Sequence, residues 1–484
     1  MNRSGPGGFR WAPVRPPMVA ARGMVATSQP TATLAGHQML ARGGNAVDAA
    51  IAAAAVLGVT EPMSTGIGGD AFAIVHRDGE AVGLDAAGPA PQEADAPGEV
   101  AVSGPRSVNV PGAVAGWAAL AQRFGRLGLD TCLQPAIDIA QGGFAVASHT
   151  ARHWAEAQWP PPSMPAPGLG ARIRFPDQAT TLRAIAEQGP RALYVGEIAG
   201  RIAAASWLTE SDLAAFVPRW VTPLAHAFRD VRVLELPPPT QGVAALEALA
   251  LIERVGDGLA DHVRAVSLAL EDAFAHVRDG AEVGFLLSDE HLRARAAAAP
   301  QAVSEPGGGT VYLCAVDEDR LAVSFIQSLF MGFGSGVLVP GTGIVLNNRT
   351  ACFGVCGRVA AGQRPYHTLM PGLLQHGDGR LLGPFGVMGG FIQAQAHVQF
   401  VIAALEEGLD PQAALDRGRF RIDGRQVHLE PPLWEHADEL NAIGFEAVRS
   451  QETSSFGGGQ AIFVRGDALL GGSDARKDGF AAGS

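Results

Sequence analysis

Residues 305–328 read EPGGGTVYLCAVDEDRLAVSFIQS, and this stretch decides the fold. Two β-rich segments, Thr310–Val316 and Leu321–Ser328, flank four acidic and basic turn residues, which predicts an antiparallel hairpin. Antiparallel pairing across this turn joins positions whose numbers add up to about 637. The strand that starts at Thr310 is therefore expected to face the end of the second strand.

Thr310 follows three glycines and opens the first strand of this hairpin. The pairing places it opposite Gln327 or Ser328. If the chain were cut before Thr310, the new α-amine, with a reference pKa of roughly 8, could take the proton of its own hydroxyl. Such a threonine is a nucleophile that needs no separate histidine base. On these residues alone a structural role is the more usual one, because β-branched residues commonly begin strands.

Composition indicates a large folded protein. The 484 residues are 47% hydrophobic and 17% charged, which argues against intrinsic disorder. A net charge of −12 argues against a nucleic-acid or anionic-membrane partner. Four cysteines are too few for a disulfide framework. The first residues contain no apolar core of the length that a signal peptide needs, so the cytoplasm is the expected compartment.

The order of predicted elements favours an α+β fold built from both halves of the chain. The first twenty or so residues are rich in proline and glycine and are expected to form a flexible tail. A helix at Ala46–Val59, capped by Asn45, precedes a hairpin, and the middle of the chain from about residue 112 to 287 is predicted to be mainly helical. Ser288–Gly309 is predicted to be a linker, and strands dominate after it.

Several ordered blocks accompany the hairpin: Leu40-Ala-Arg-Gly-Gly-Asn-Ala-Val-Asp-Ala-Ala50, Gly66-Ile-Gly-Gly-Asp70, Pro111-Gly-Ala-Val-Ala-Gly116, Leu208-Thr-Glu-Ser-Asp-Leu213, Pro237-Pro-Pro-Thr240 and Ser473-Asp-Ala-Arg476. Together with Thr310-Val-Tyr-Leu-Cys-Ala-Val-Asp317 they resemble the γ-glutamyltransferase superfamily of N-terminal-nucleophile hydrolases. The resemblance extends from about Gly23 to Gly479. It implies a four-layer αββα sandwich with a helical region in the large subunit.

The resemblance also implies that the chain cuts itself between Gly309 and Thr310. Residues 1–309 would form a large fragment and residues 310–484 a small one, and the two would stay together as a heterodimer within one αββα globule. Whether such a pair assembles further is left open. Thr310 would be the nucleophile and its α-amine the base.

The same resemblance assigns two supporting features to the catalytic site. Ser328 stands where the family has a hydroxyl residue beside the nucleophile. Gly389 and Gly390 match a glycine pair whose backbone N–H groups hold the oxyanion. Glycine suits that task because no Cβ blocks the approach of the reacting carbon.

Departures from the family pattern point to a different acyl group. By resemblance, true γ-glutamyl enzymes hold an α-carboxylate and an α-ammonium with residues that are changed at five substrate-binding positions here: Arg349 for Gln, Cys352 for Asp, Phe330 for Asn, and His367 and Thr368 for two serines. Loss of the Asp and gain of an Arg disfavour an ammonium and favour a carboxylate. The pattern resembles the branch that includes oxamate amidohydrolase, although the large-subunit Arg is missing from the stretch 84–91.

These residues predict a self-processing threonine amidohydrolase that cleaves an amide of a small anionic acyl group, oxamate-like or a dicarboxylic monoamide, through an acyl-enzyme. The alternatives are a genuine γ-glutamyltransferase or glutathione hydrolase, an acylase for glutaryl-type side chains, and an unprocessed relative that only binds anions. We expect no metal, because the pair Cys352 and Cys356 has no second ligand pair nearby, and no cofactor. The glycine run at 66–69 lacks the lysine of a phosphate-binding loop.

Overall fold

The computed structural model of the chain describes residues 16–94, 100–300 and 308–484. The helices in these ranges are α1 (Pro30–Ala41), α2 (Ala46–Thr60), α3 (Ala113–Phe124), α4 (Leu129–Gly142), α5 (Ser148–Ala155), α6 (Pro176–Gln188), α7 (Arg191–Tyr194), α8 (Glu197–Ala205), α9 (Glu210–Ala214), α10 (Gly242–Val255), α11 (Leu259–His276), α12 (Asp289–Ala296), α13 (Ile392–Leu405), α14 (Pro411–Asp416) and α15 (Ala437–Ala442).

The strands in the same ranges are β1 (Met18–Ala20), β2 (Met24–Thr27), β3 (Asp70–Arg77), β4 (Glu80–Ala86), β5 (Phe144–Ala145), β6 (Arg172–Ile173), β7 (Arg219–Val221), β8 (Leu224–Phe228), β9 (Val231–Glu235), β10 (Gly309–Val316), β11 (Ala322–Phe330), β12 (Leu338–Val339), β13 (Ile344–Val345), β14 (Gly372–His376), β15 (Leu381–Met388), β16 (Phe420–Asp423), β17 (Gln426–Leu429), β18 (Glu446–Arg449), β19 (Gly458–Arg465), β20 (Ala468–Ser473) and β21 (Phe480–Gly483).

Two seven-stranded sheets form the centre of the molecule. The first has the order β1-β20-β19-β15-β14-β9-β8 and the second β21-β2-β10-β11-β3-β4-β7. All neighbours within both sheets are antiparallel. Both sheets contain strands from before and from after residue 309, so neither sheet belongs to one half of the chain.

The two sheets pack face to face and helices cover their outer faces. A buried cluster between the sheets includes Phe72 and Tyr312 from one side and Leu373 and Ile462 from the other. Gly386 has no side chain, and a Cβ there would lie 2.4 Å from the Tyr312 ring. Helices α1, α2 and α3 pack on the second sheet, and α4 and α6 lie outside them, with α4 against α2 and α6 against α4. Helices α10 and α13 pack on the first sheet, and α11 packs against α10. The four-layer αββα arrangement expected from the resemblance is confirmed.

Strands β10 and β11 are buried along their whole length, because one face meets the other sheet and the opposite face meets α2. This explains why neither strand shows the period-two alternation of a strand with one exposed face. Helix α2 is itself buried at every position, as an alanine-rich helix can be. Its predicted cap is confirmed: Asn45 accepts from the backbone of Val47 and Asp48. Asp317 at the end of β10 accepts from the Ala46 N–H.

Two expectations need correction. The predicted tail does not extend to residue 20: residues 1–15 lie outside the described ranges, and Met18–Ala20 form β1, which pairs with β20. The predicted linker contains α12, which Ser288 caps through its side chain. The middle of the chain is mainly helical, as predicted, and it also supplies β7, β8 and β9 to the two sheets.

Candidate active site

A bulge in the β10–β11 hairpin positions Thr310. Gly309 pairs with Phe330 and Val311 pairs with Gln327, so two residues of β11, Ser328 and Leu329, stand opposite Thr310 alone. An extra residue of this kind bends the strand and re-aims a side chain. The expected juxtaposition of Thr310 and Ser328 is confirmed, with 3.4 Å between the two hydroxyl oxygens.

Two hydroxyl groups converge on the carbonyl that precedes Thr310. The Oγ1 of Thr310 and the Oγ of Ser328 each donate to the Gly309 carbonyl oxygen at 2.6 Å. Ser328 Oγ also accepts from the Phe330 N–H at 2.7 Å, which fixes its orientation. Donors on a carbonyl oxygen make its carbon a better electrophile. The geometry therefore activates the peptide bond that the sequence singles out for cleavage.

The glycine pair lies beside this bond, between the end of β15 and the start of α13. Gly389 and Gly390 have φ values of +133° and +72°, a region that favours glycine. A Cβ on Gly390 would lie 2.9 Å from the nitrogen of Gly308, so no larger residue fits there. The pair thus borders the residues immediately before Thr310. Its role in holding an oxyanion remains a prediction.

A buried carboxylate and imidazole support this turn, and the sequence did not point to them. Glu235 Oε1 accepts from His397 Nδ1 at 2.7 Å, and His397 Nε2 accepts from the Val387 N–H at 3.1 Å. Burial raises the pKa of Glu235, and the imidazole opposes that rise. These hydrogen bonds link α13 to β9 and to Val387 on β15, which lies two residues before Gly389. Their wide separation in sequence is why pattern alone gives no signal for them.

Thr310 opens onto a cavity of about 300 Å³. Its wall has apolar, cationic and neutral polar parts. The apolar part comprises Met63, Met331, Met388, Phe391 and Ile392, the cationic part Arg421 and Lys477, and the neutral polar part Ser64, His153, Gln158, Ser454 and Ser455. Gly389 lines the same cavity, as does Glu156. The candidate nucleophile and one glycine of the pair therefore share a space that a small substrate can enter.

The five predicted substrate-binding residues meet in a second, fully buried cluster. Arg349 donates through Nε to Asp70 at 3.2 Å, its guanidinium carbon lies 4.7 Å from the centre of the Phe330 ring, and its Nη1 lies 3.6 Å from Cys352 Sγ and 3.5 Å from Thr368 Oγ1. None of Arg349, Cys352, His367 and Thr368 is among the described residues that line the cavity. The residues are brought together, but behind the cavity wall.

Asp70 is the centre of this cluster, and sequence reasoning missed its role. Its carboxylate accepts from Arg349 Nε, from His367 Nε2 at 3.2 Å and from the Gly88 N–H at 3.0 Å. His367 Nδ1 accepts from the Leu369 N–H, so the ring proton sits on Nε2. Burial, followed by the charge of Arg349, lowers the pKa of His367 to about 3, and the imidazole is neutral. A buried Asp in a glycine run was the available signal, because such a group needs a partner.

The described residues also contain one grouping of metal-type ligands, Glu247, Asp272 and His291, on α10, α11 and α12. Arg295 Nε lies 2.7 Å from Asp272, and His291 Nε2 lies 3.0 Å from Glu247. These acids already have cationic and imidazole partners, which indicates a structural ion-pair network between the helices. None of the three lines the cavity at Thr310.

Known proteins resemble the chain over nearly its full length. A family model described as Gamma-glutamyltranspeptidase matches residues 32–484. The Glutathione hydrolase-like YwrD proenzyme of Bacillus subtilis is 30% identical, over 96% of this chain and 99% of its own length. The Oxamate amidohydrolase proenzyme of Klebsiella pneumoniae is 32% identical, over 84% of this chain and 86% of its own.

The fold has a close counterpart among solved structures. The crystal structure of cephalosporin acylase from Bacillus halodurans superposes with a TM-score of 0.92 at 39% identity, and the match covers 99% of both chains. Within the described ranges, no helix has the combination of length and apolar composition that crossing a membrane requires.

Proposed function

The chain belongs to the gamma-glutamyltranspeptidase family, and we propose that within it this protein is a threonine amidohydrolase for amides of small anionic acyl groups. It is an autoprocessed N-terminal-nucleophile hydrolase. The observation that supports Thr310 as its nucleophile is the pair of hydroxyls, from Thr310 and Ser328, each 2.6 Å from the Gly309 carbonyl oxygen.

Processing in this proposal begins with attack by Thr310 Oγ1 on the carbonyl carbon of Gly309. The C–O bond forms, the C–N bond to Thr310 breaks, and the nitrogen takes the hydroxyl proton to become the α-amine. Water then hydrolyses the resulting ester, which leaves a carboxylate on Gly309 and restores the Thr310 hydroxyl. Ser328 assists by donating to the oxygen that gains negative charge.

Turnover uses the amine that processing creates. With a reference pKa of roughly 8, the α-amine of Thr310 accepts the hydroxyl proton as Oγ1 attacks the substrate amide, and then gives it to the leaving amine. The N–H groups of Gly389 and Gly390 are proposed to hold the oxyanion. Water attacks the acyl-enzyme ester, and the acyl group leaves as a carboxylate.

Arg349, Cys352, Phe330, His367 and Thr368 stay proposals as substrate-binding residues. The charge of Arg349 is already met by Asp70, which supports the structural ion pair as a competing role. Its Nη2, however, has no partner among the described residues and remains available to a carboxylate. Such a contact would require the Phe330 ring to move aside. The cytoplasmic location also remains a prediction.

The first test is a denaturing gel of the purified protein. Processing at the proposed bond gives fragments of about 32 and 18 kDa, in proportion to 309 and 175 residues of a 50.0 kDa chain. A single 50 kDa band that persists after incubation would instead favour the unprocessed, anion-binding alternative.

The second test compares acyl groups on the processed enzyme. Release rates from oxamate, a γ-glutamyl anilide and glutaryl amides, measured side by side, separate the proposed amidohydrolase from a γ-glutamyltransferase or glutathione hydrolase. The acylase, with glutaryl-type side chains as its test substrates, is the second candidate, and the similarity to the cephalosporin acylase structure supports acylase activity. Addition of an amine acceptor to each reaction distinguishes transfer from hydrolysis.

A further inference from the structure

The chain contains a single lysine, Lys477, against 35 arginines, and this lysine lines the cavity at Thr310. It follows the block Ser473-Asp-Ala-Arg476 at the end of β20. An ammonium group is a compact point charge on a flexible stem, so it reaches into a narrow space where a guanidinium fits less well.

The Lys477 side chain packs against Gly458, next to the residue that contacts the turn at Gly389 and Gly390. A Cβ on Gly458 would lie 2.5 Å from Lys477 Cγ, so the lysine stem occupies the space that Gly458 leaves open. A Cβ on Gly389 would lie 3.1 Å from the Cα of the adjacent residue, Gly457. These contacts place the stem of Lys477 beside Gly458, whose neighbour Gly457 packs against Gly389, and Lys477 and Gly389 line the same cavity.

Lys477 has no ion-pair partner among the described residues. Its nearest polar contact is His153 Nδ1 at 3.4 Å. The charge of Lys477, followed by burial, lowers the pKa of His153 to about 2, so this neighbour is neutral. Burial lowers the pKa of Lys477 itself. A partly buried cation beside a neutral ring is an arrangement that an incoming anion stabilises.

The carboxylates that act on Lys477 from a distance are already bound elsewhere. Asp474 accepts from Arg419 and Arg476, and Asp478 accepts from the backbone of His149 and Thr150. Glu61 accepts from Ser28 at 2.5 Å. These acids give Lys477 a favourable field without occupying its ammonium.

We propose that Lys477 is the residue that binds the carboxylate of the substrate, so that the enzyme prefers amides carrying a carboxylate within reach of the cavity wall. This specificity role rests on the proposed function and makes it more definite. Arg349 is less suited to the task because Asp70 neutralises it and the Phe330 ring separates it from residue 308. The carboxylate can belong to the acyl part or to the amine part of the amide, and the chemistry of recognition is the same.

Kinetics with matched substrates test the proposal. The variants are Lys477→Met, Lys477→Arg and, as a remote control, Arg293→Met, whose side chain is 74% exposed on α12. One substrate pair is glutaryl anilide and its methyl ester; the other is N-butanoyl-4-aminobenzoate and its methyl ester. We expect Lys477→Met to lower kcat/KM about 10- to 100-fold for the anionic member of one pair, with the esters unchanged.

The pair that responds tells which part of the amide carries the carboxylate. Lys477→Arg is expected to recover part of the loss, and Arg293→Met to match the parent enzyme. An equal loss on anionic and ester substrates, or no loss on either anion, would overturn the proposal.

Binding can be followed without turnover, because one lysine gives one ε-amine signal. Reductive methylation with ¹³C-formaldehyde labels Lys477 and the chain α-amines, and the Lys477→Arg variant identifies the lysine signal. Glutarate is expected to shift this signal saturably, whereas the neutral glutaramide is not. If no amide is hydrolysed but the shift occurs, the proposed function fails and the anion site stands. The enzyme could instead be active, with a lysine signal that glutarate does not shift and a Lys477→Met variant of full activity. That result would reject the role of Lys477 and leave the proposed function standing.

Discussion

At the scale of single residues, the hydroxyls of Thr310 and Ser328 contact the same carbonyl oxygen and have different roles in the proposed mechanism. Thr310 Oγ1 lies 2.6 Å from the carbonyl oxygen of Gly309, and Thr310 supplies the nitrogen of the peptide bond that we propose is cleaved. Ser328 donates to the same oxygen, while the Phe330 N–H holds Ser328 in place. In the proposed mechanism, Ser328 therefore acts on charge that develops during cleavage, and Thr310 supplies the attacking atom.

Replacement of Ser328 should slow processing more than it affects folding. Loss of one donor to a developing oxyanion typically costs about 10²–10³ in rate, so we expect Ser328→Ala to accumulate the 50 kDa precursor, with cleavage slowed by about that factor. Thr310→Ala should not cleave at all. Time courses on denaturing gels measure both rates.

Ser324, on the same strand, provides the matched control for Ser328→Ala, since its hydroxyl contacts Tyr312 and lies in the core. Ser324→Ala is expected to process at the parental rate. Processing of Ser328→Ala at the rate of the parent chain would contradict the role assigned to Ser328.

Single residues also show where prediction from sequence reached its limit. The juxtaposition of Thr310 and Ser328 followed from counting along one hairpin, because both strands are local. Asp70 lies 279 positions before Arg349, and its contact with that residue depends on how β3 pairs with β11. Lys477 gave no signal either, since a lone lysine in sequence is ordinarily a solvated side chain.

At the scale of elements, the turn between β15 and α13 has no room for a side chain. Gly390 faces Gly308, and Gly389 faces Gly457 and Ile392. His397 on α13 accepts from the Val387 N–H on β15, so helix and strand are fixed relative to each other. The turn is therefore held by packing on both sides and not by its own hydrogen bonds alone.

Gly390→Ala should disturb the site strongly. A methyl group there would lie 2.9 Å from the nitrogen of Gly308 at a φ of +72°, so the turn must shift away from the residues before Thr310. We expect processing and amide hydrolysis to fall at least about 10²-fold, on the scale of losing an oxyanion donor. The matched control is Gly377→Ala, since a Cβ at Gly377 has open space around it and no positive φ. Parental activity in Gly390→Ala, at unchanged Tm, would contradict this placement of the turn.

Helix α2 and its cap were predictable because the signals are local. Asn45 and Asp48 form a capping box, and the alanine run continues to Thr60.

The segment at the end of the proposed large fragment was not predictable in the same way. Ser288–Gly309 is polar and alanine-rich, which is typical of a linker, yet Leu292 is buried and anchors α12 against α10. Tertiary contact overrode composition in that segment.

At the scale of the whole molecule, buried acids make stability depend on pH. Burial raises the pKa of Glu61 to about 7, against a smaller opposing effect of its hydrogen bond from Ser28. Between about pH 4.5 and 7 the folded protein holds a proton that the unfolded chain has released. The stabilising contribution is thus present below pH 4.5 and is lost as the pH rises through 7.

Glu61→Gln should remove this dependence. The amide oxygen can still accept from Ser28, and no charged carboxylate has to be buried at high pH. We expect the Tm of the variant, relative to the parent, to be higher at pH 8 than at pH 5. Thermal unfolding followed by circular dichroism at the two pH values measures the difference. The exposed control Glu290→Gln, in the first turn of α12, should show no such change between the two pH values.

The mixed origin of the strands in both sheets also predicts how the two fragments behave after cleavage. The first sheet combines β1, β8 and β9 with β14, β15, β19 and β20, and the second sheet is similarly mixed. Separation would expose both sheets and the apolar layer between them. We expect fragments of about 32 and 18 kDa to elute together from a native sizing column and to part only in denaturant. Separate elution without denaturant would contradict the mixed sheets.

The pairing of β1 with β20, and of β2 with β21, makes the proposed cleavage depend on strands far along the chain. Strand β2 is the direct neighbour of β10, which carries Thr310, and β21, Phe480–Gly483, covers its other edge. The surroundings of the proposed scissile bond are therefore complete only when this distant segment has paired. A polypeptide that stops short of Phe480 should remain in one piece, because the outer edge of β2 is then unpaired.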